Sequence, residues 1–205
     1  MANKTAPKKV LLTPKFRVSF PEVWEKRSFQ EGQAGRYSCV ALFNPAEFTD
    51  KDKEKWQAIL AACNALAREY AKKPTMKEAR DLGWKVPFHK GEEKQYAGYG
   101  PGIIYFTMSA YTSRPGILDR DGNRITQDGA EEFYAGCYAR ASVNPFVNVK
   151  WKSIAIGMNN LQKLADGPRL DARTNAEDDF GDDPAEYGDE SDGTDGSEFG
   201  DDPTA

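Results

Sequence analysis

Lys15-Phe16-Arg17-Val18-Ser19-Phe20 alternates without a break: Phe16, Val18 and Phe20 fall on one side of an extended chain, Lys15, Arg17 and Ser19 on the other. Side chains of a strand point to opposite faces in turn, so this stretch predicts a strand with one face toward a core and a basic face toward something else. Pro21 is expected to end it. Outward from it, residues 37–43 (YSCVALF) read as a second, mostly buried strand closed by Asn44-Pro45. Residues 103–111 alternate again, Ile104, Phe106, Met108 and Ala110 against Tyr105, Thr107, Ser109 and Tyr111. That pattern sets Tyr105 and Tyr111 on the polar face. Ser113-Arg114-Pro115 leads into a hairpin over 116–126 that turns at Asp121-Gly122-Asn123, with Arg120 and Arg124 beside the turn. Residues 134–141 (YAGCYARA) and 143–151 form one long bent strand or two short ones around Asn144-Pro145, and 153–158 a last strand before Gly167-Pro168.

One helix interrupts these strands. Thr49 can cap the first backbone N–H groups, with Asp50, Asp52 and Glu54 suited to the positive end of the dipole. Trp56, Ile59, Leu60, Cys63, Leu66, Ala67 and Tyr70 then recur at intervals of three and four. Pro74 stops it, and 75–82 predicts a short second helix ending at Gly83. About six short strands and one long helix predict a mainly β fold, an OB-fold-like open Greek-key barrel.

From Trp84 to Gly102 the chain mixes Trp84, Lys85, His89, Lys90, Lys94, Tyr96 and Tyr99 with four glycines and reads as a long loop. Interleaved aromatic and cationic residues suit a single-stranded nucleic-acid site, because bases stack on rings while cations neutralise phosphates.

The charge is divided. Residues 171–205 hold fourteen acids against Arg173 alone, a net charge of −13 within a chain of −4, which leaves residues 1–170 at +9. A basic body joined to an acidic tail points to nucleic acid before catalysis. The tail has three aromatics, Phe180, Tyr187 and Phe199, and no aliphatic side chain larger than alanine, so it is expected to be disordered. Three domains follow: a basic flexible arm over 1–14, a folded domain over 15–170 and the tail over 171–205.

Other chemistry is poorly represented. His89 is the only histidine, and Cys39, Cys63 and Cys137 lack zinc-site spacing and read as buried free thiols. No metal and no cofactor are expected. The sequence shows no leader and no membrane-spanning run, so a cytoplasmic location and no membrane partner are expected. Two alternatives stay open: a metal-dependent nuclease using Asp119 and Asp121, which turn geometry alone also favours, and a protein-binding module whose basic surface docks another chain's acidic tail.

Residues 13–20 (TPKFRVSF), 113–119 (SRPGILD), 133–141 (FYAGCYARA) and 157–167 (GMNNLQKLADG) together resemble the single-stranded-DNA-binding proteins of tailed bacteriophages. The resemblance spans residues 13–170. It implies an OB-fold that coats single-stranded DNA without sequence preference in phage replication and recombination, and an acidic tail that competes with DNA and recruits replication proteins. Such tails often end in an aromatic residue; this chain closes Gly-Asp-Asp-Pro-Thr-Ala and instead repeats Phe-Gly-Asp-Asp-Pro at Phe180 and Phe199.

The sequence therefore predicts a non-enzymatic binding protein, monomer or homodimer. Phosphate contacts are expected from Lys15, Arg17, Arg36, Lys85, Lys90, Arg114, Arg120, Arg124, Arg140 and Lys152. Base stacking is expected from Trp84, Tyr96, Tyr99, Tyr105, Tyr111, Tyr138 and Trp151, although some of these rings must fill the core. Partner docking is expected through Phe180, Tyr187 and Phe199.

Overall fold

In the computed structural model, which describes residues 10–28, 32 and 34–171, the alternating stretch forms a strand that does not stop at Pro21. Strand β2 runs Phe16–Arg27. The register against its neighbour slips by one residue between Ser19 and Glu22, and Phe20 takes a φ of 44°. The extra residue of this β-bulge absorbs a proline that has no N–H for the ladder. Residues 171–205 were expected to be disordered and to dock partners through Phe180, Tyr187 and Phe199; those three residues lie outside the described ones.

The remaining strands are β1 (Leu11–Leu12), β3 (Arg36–Phe43), β4 (His89–Lys90), β5 (Ile104–Ala110), β6 (Gly116–Leu118), β7 (Tyr138–Asn148) and β8 (Ser153–Ala165). Pairing runs β7-β2-β3-β5-β8, and β8 pairs back onto β7, so five strands close on themselves. All joins in this circuit are antiparallel except β5 with β8, where Met108 sits opposite Ile156. The five-stranded Greek-key circuit is the OB-type barrel that the strand pattern predicts, closed by the β7–β8 pairing where an open barrel is expected. Strand β6 continues along β8 in parallel at Asn160–Gln162, and β1 lies on β7 at Ser142 and Val143.

Three local expectations change. The arm expected over 1–14 is tied down at its far end: Leu11–Leu12 pair with β7, and Thr13 is fully buried, donating its N–H to Ala141 and accepting from the Ala141 N–H through Oγ1. Residues 134–137 precede β7 rather than belong to it. The last strand extends past Met158 to Ala165, because β7 offers it a partner along its whole length.

Helix α1 (Asp50–Leu66) begins as the sequence predicts, with Thr49 Oγ1 accepting from the Asp52 N–H at 3.2 Å. It continues as a π-helix over Ala67–Ala71 and ends at Lys72, φ 55°. The short helix α2 (Met76–Asp81) follows, capped by Thr75. Trp56, Ile59 and Cys63 are the buried stripe of α1. The Trp56 ring lies 5.0 Å from Phe43, 5.2 Å from Phe88 and 6.3 Å from Phe106, so the helix covers the barrel where β3 ends and β5 begins. All three cysteines are buried and free. Burial pushes the Cys137 thiol up to about 11, so it carries no reactive thiolate at neutral pH.

Candidate nucleic-acid interface

The outer face of β2, β3 and β5 is built by alternation: while Val18, Ala41 and Phe106 point inward, Arg17, Ser19, Leu42, Tyr105 and Thr107 point out. Onto this face folds the segment 91–103. It returns close to the sheet at Gly98, where φ is 83° and an added Cβ would sit 2.9 Å from Leu170 and 3.2 Å from Leu42. Only glycine tolerates both the approach and the backbone.

This folding lines up five rings from five places in the chain. His89 stacks on Tyr105 at 5.2 Å, Tyr105 meets Tyr99 at 5.2 Å, Tyr99 meets Tyr96 at 5.7 Å, and Tyr96 meets Phe20 at 5.3 Å. The line crosses the face from the β4 side to β2. Its base is firm: Tyr105 is 8% exposed, and the Tyr99 hydroxyl lies 3.4 Å from Ser19 Oγ. Burial raises the pKa of both phenols, so they stay protonated. Burial also lowers that of His89, against the pull of Glu93, which keeps the imidazole a neutral stacking ring at pH 7. Tyr96 and Phe20, 55% and 49% exposed, form the open end.

Several of the other expected residues gather at two places. At the far end of β3 and β5, Arg36 donates to the Tyr111 hydroxyl at 3.2 Å, Lys26 donates to the Tyr111 carbonyl at 2.7 Å, and Arg114 lies 5.7 Å over Trp24. Tyr111 remains exposed there and available for stacking. At the β7–β8 turn, Trp151 is 59% exposed with Lys150 over its ring, and Lys85 joins this corner by pairing its backbone with Lys152 and Ile154. An OB barrel binds oligonucleotides on its face and through its first and last inter-strand loops, and the β7–β8 turn is the last such loop of this circuit.

Several expected contacts have other duties. Arg17 donates to Gly136 O at 3.3 Å and Pro168 O at 2.6 Å, strapping the chain's last described segment across the barrel. Tyr138 is half-buried beneath Lys15, whose Nζ is 5.1 Å from the ring. Lys15, Arg17 and Tyr138 line a cleft of about 130 Å³ with Leu42, Gly98 and Asn44. Trp84 packs against the core, and Tyr105 is foundation rather than stacking surface. Lys90 pairs with Glu92 at 3.5 Å. Arg140 donates to Gln162 at 2.8 Å, and Gln162 in turn holds the hairpin carbonyls of Asp119 and Arg120. Arg120, Arg124 and Arg140 therefore belong to the β6–β8 side, away from the ring line. Asp119 accepts from the N–H groups of Asp121 and Asn123 and from the Asn123 side chain, which is turn geometry. Among the described residues no three His, Cys, Asp or Glu side chains gather to hold a metal, and no helix is long and apolar enough to cross a membrane.

Sequence reasoning missed Phe20 and His89. Simple alternation sends Phe20 inward with Phe16 and Val18; the proline that follows it was the available signal of a bulge. His89 looked like an isolated loop residue because its partner, Tyr105, is sixteen positions on.

A comparison with curated protein sequences returns no match. Among solved structures, the chain is similar to the single-stranded DNA-binding protein from bacteriophage Enc34 in complex with ssDNA, with a TM-score of 0.58 and 16% identity over 78% of this chain and 88% of that one. It is likewise similar to a C-terminal truncation of the Enc34 protein, with a TM-score of 0.57 and 17% identity over 82% and 99%. At such identities the likeness is one of fold. The family model of the Enterobacter phage Enc34 ssDNA-binding protein matches residues 8–192, most of the sequence, and the chain belongs to that family.

Proposed function

We propose that this protein binds single-stranded DNA along the outer face of β2, β3 and β5 and serves phage DNA replication and recombination as a binding protein without catalytic activity. The observation that carries the reading is the line of rings from His89 to Phe20, set on the kind of face where OB barrels bind oligonucleotides. Every base has a π-face, so a platform of rings needs no particular sequence. Phosphates would be met by Lys15, Lys26, Lys94 and Arg114 around the face and by Lys85 and Lys152 at the β7–β8 corner. The acidic segment 171–205 competes for this surface and, once displaced, offers Phe180, Tyr187 and Phe199 to replication proteins in the host cytoplasm.

Fluorescence anisotropy of a labelled oligo-dT tests the site. Tyr96→Ala should weaken binding by about 1–3 kcal/mol with the melting temperature unchanged, since its ring is largely in solvent. Arg124→Ala, on the hairpin, should bind within about twofold of the parent, within the usual range of surface changes. Equal losses in both would move the DNA to the β6–β8 side.

A further inference from the structure

We infer that Phe20 is a base-stacking residue of the single-stranded-DNA site, presented by a bulge whose strain the fold itself does not need. The inference rests on the reading of the outer face as that site. Its neighbours Phe16 and Val18 are 1% and 0% exposed, and the same alternation would bury Phe20 with them. The bulge between Ser19 and Glu22 instead turns the ring outward, leaving it 49% exposed.

That orientation is not free. A φ of 44° lies in the left-handed region, which glycine and asparagine enter readily and a bulky aromatic residue does not. The strain is not repaid by burial. Among the described residues the ring that Phe20 meets is Tyr96, edge-on at 5.3 Å, and Tyr96 is itself more exposed than Phe20. A sequence optimised only for this fold would place asparagine or glycine at position 20. Strained backbone that supports an exposed ring belongs to ligand sites more than to scaffolds.

The chemistry of the ligand follows from the surroundings. Phe20 offers a π-face and no polar atom, so it suits a flat, apolar-faced group. It extends a row of four further rings in a body of net charge +9, so the group is a base carried on a phosphate chain. Ser19, one residue back, is 3% exposed and lies 3.4 Å from the Tyr99 hydroxyl, so the bulge is anchored to the same platform it extends.

The test uses the full chain with Phe20→Asn, Phe20→Leu and Phe20→Trp, reading oligo-dT affinity by anisotropy and melting temperature by calorimetry. Phe20→Asn should lose about five- to 150-fold in affinity while melting at or above the parent temperature, because it removes the stacking ring and relieves the strain together. Phe20→Leu should lose affinity to a similar degree without a gain in melting temperature, and Phe20→Trp should keep it. Phe20→Asn binding within twofold of the parent would overturn the stacking role while leaving the DNA site in place. A drop of several degrees in Phe20→Asn would show that the ring serves the fold. A parent that fails to bind oligo-dT would overturn the site and this inference at once.

Discussion

A chain ending at Leu170 should bind oligo-dT about tenfold more tightly than the full chain at low salt, and the gap should close as salt rises. The removed segment carries −13 of net charge and leaves a body of +9. Leu170, the last residue kept, lies beside Gly98 over the outer face of β2, β3 and β5, and Arg17 holds the Pro168 carbonyl. At an effective concentration of about 1 mM, a tethered competitor lowers apparent affinity about tenfold if its own dissociation constant is about 0.1 mM. Both the tail and the DNA act through charge, so salt weakens the competitor with the ligand. Anisotropy titrations of the two forms across a salt series measure this. Equal affinity at low salt would reduce residues 171–205 to a solubilising extension.

Phe106→Ala should cost about 3–5 kcal/mol, a large share of the about 5–15 kcal/mol that holds a domain of this size together. Phe106 is fully buried, with Phe43 at 4.9 Å, Phe88 at 5.5 Å and Trp56 at 6.3 Å. These rings come from β3, the segment after α2, and α1, so their cluster fastens the helix onto the barrel. The surrounding strands close on themselves and cannot collapse into the space left behind. Urea denaturation should show a lower midpoint with an unchanged slope, and DNA binding should survive at temperatures where the variant is still folded. A loss below about 1 kcal/mol would mean that the helix does not depend on this cluster.

Much of this architecture could be read from the sequence, because its signals are local. Thr49 and the Trp56–Cys63 spacing fixed the helix, and alternation over 103–111 fixed β5 and sorted its two faces. What alternation could not supply was the third dimension of the outer face. Tyr105 falls on that face as expected, but whether it is free depends on the 91–103 segment folding back over it, which Gly98 allows and no periodicity announces. Arg17 likewise sits on the basic face, yet its partners are carbonyls at positions 136 and 168. Phe20 faces outward against the alternation because one extra residue in a strand reverses every inference drawn from a period of two.

The aromatic face can be located directly by photocrosslinking. An oligonucleotide carrying 5-bromodeoxyuridine at each thymine position would be irradiated with the full chain and with the form ending at Leu170, and the crosslinked peptides mapped. Crosslinks at Phe20, Tyr96 and Tyr99, stronger in the shorter form, are the predicted result. Crosslinks confined to the 119–124 hairpin and the outer residues of β7 and β8 would contradict the assignment of the binding face.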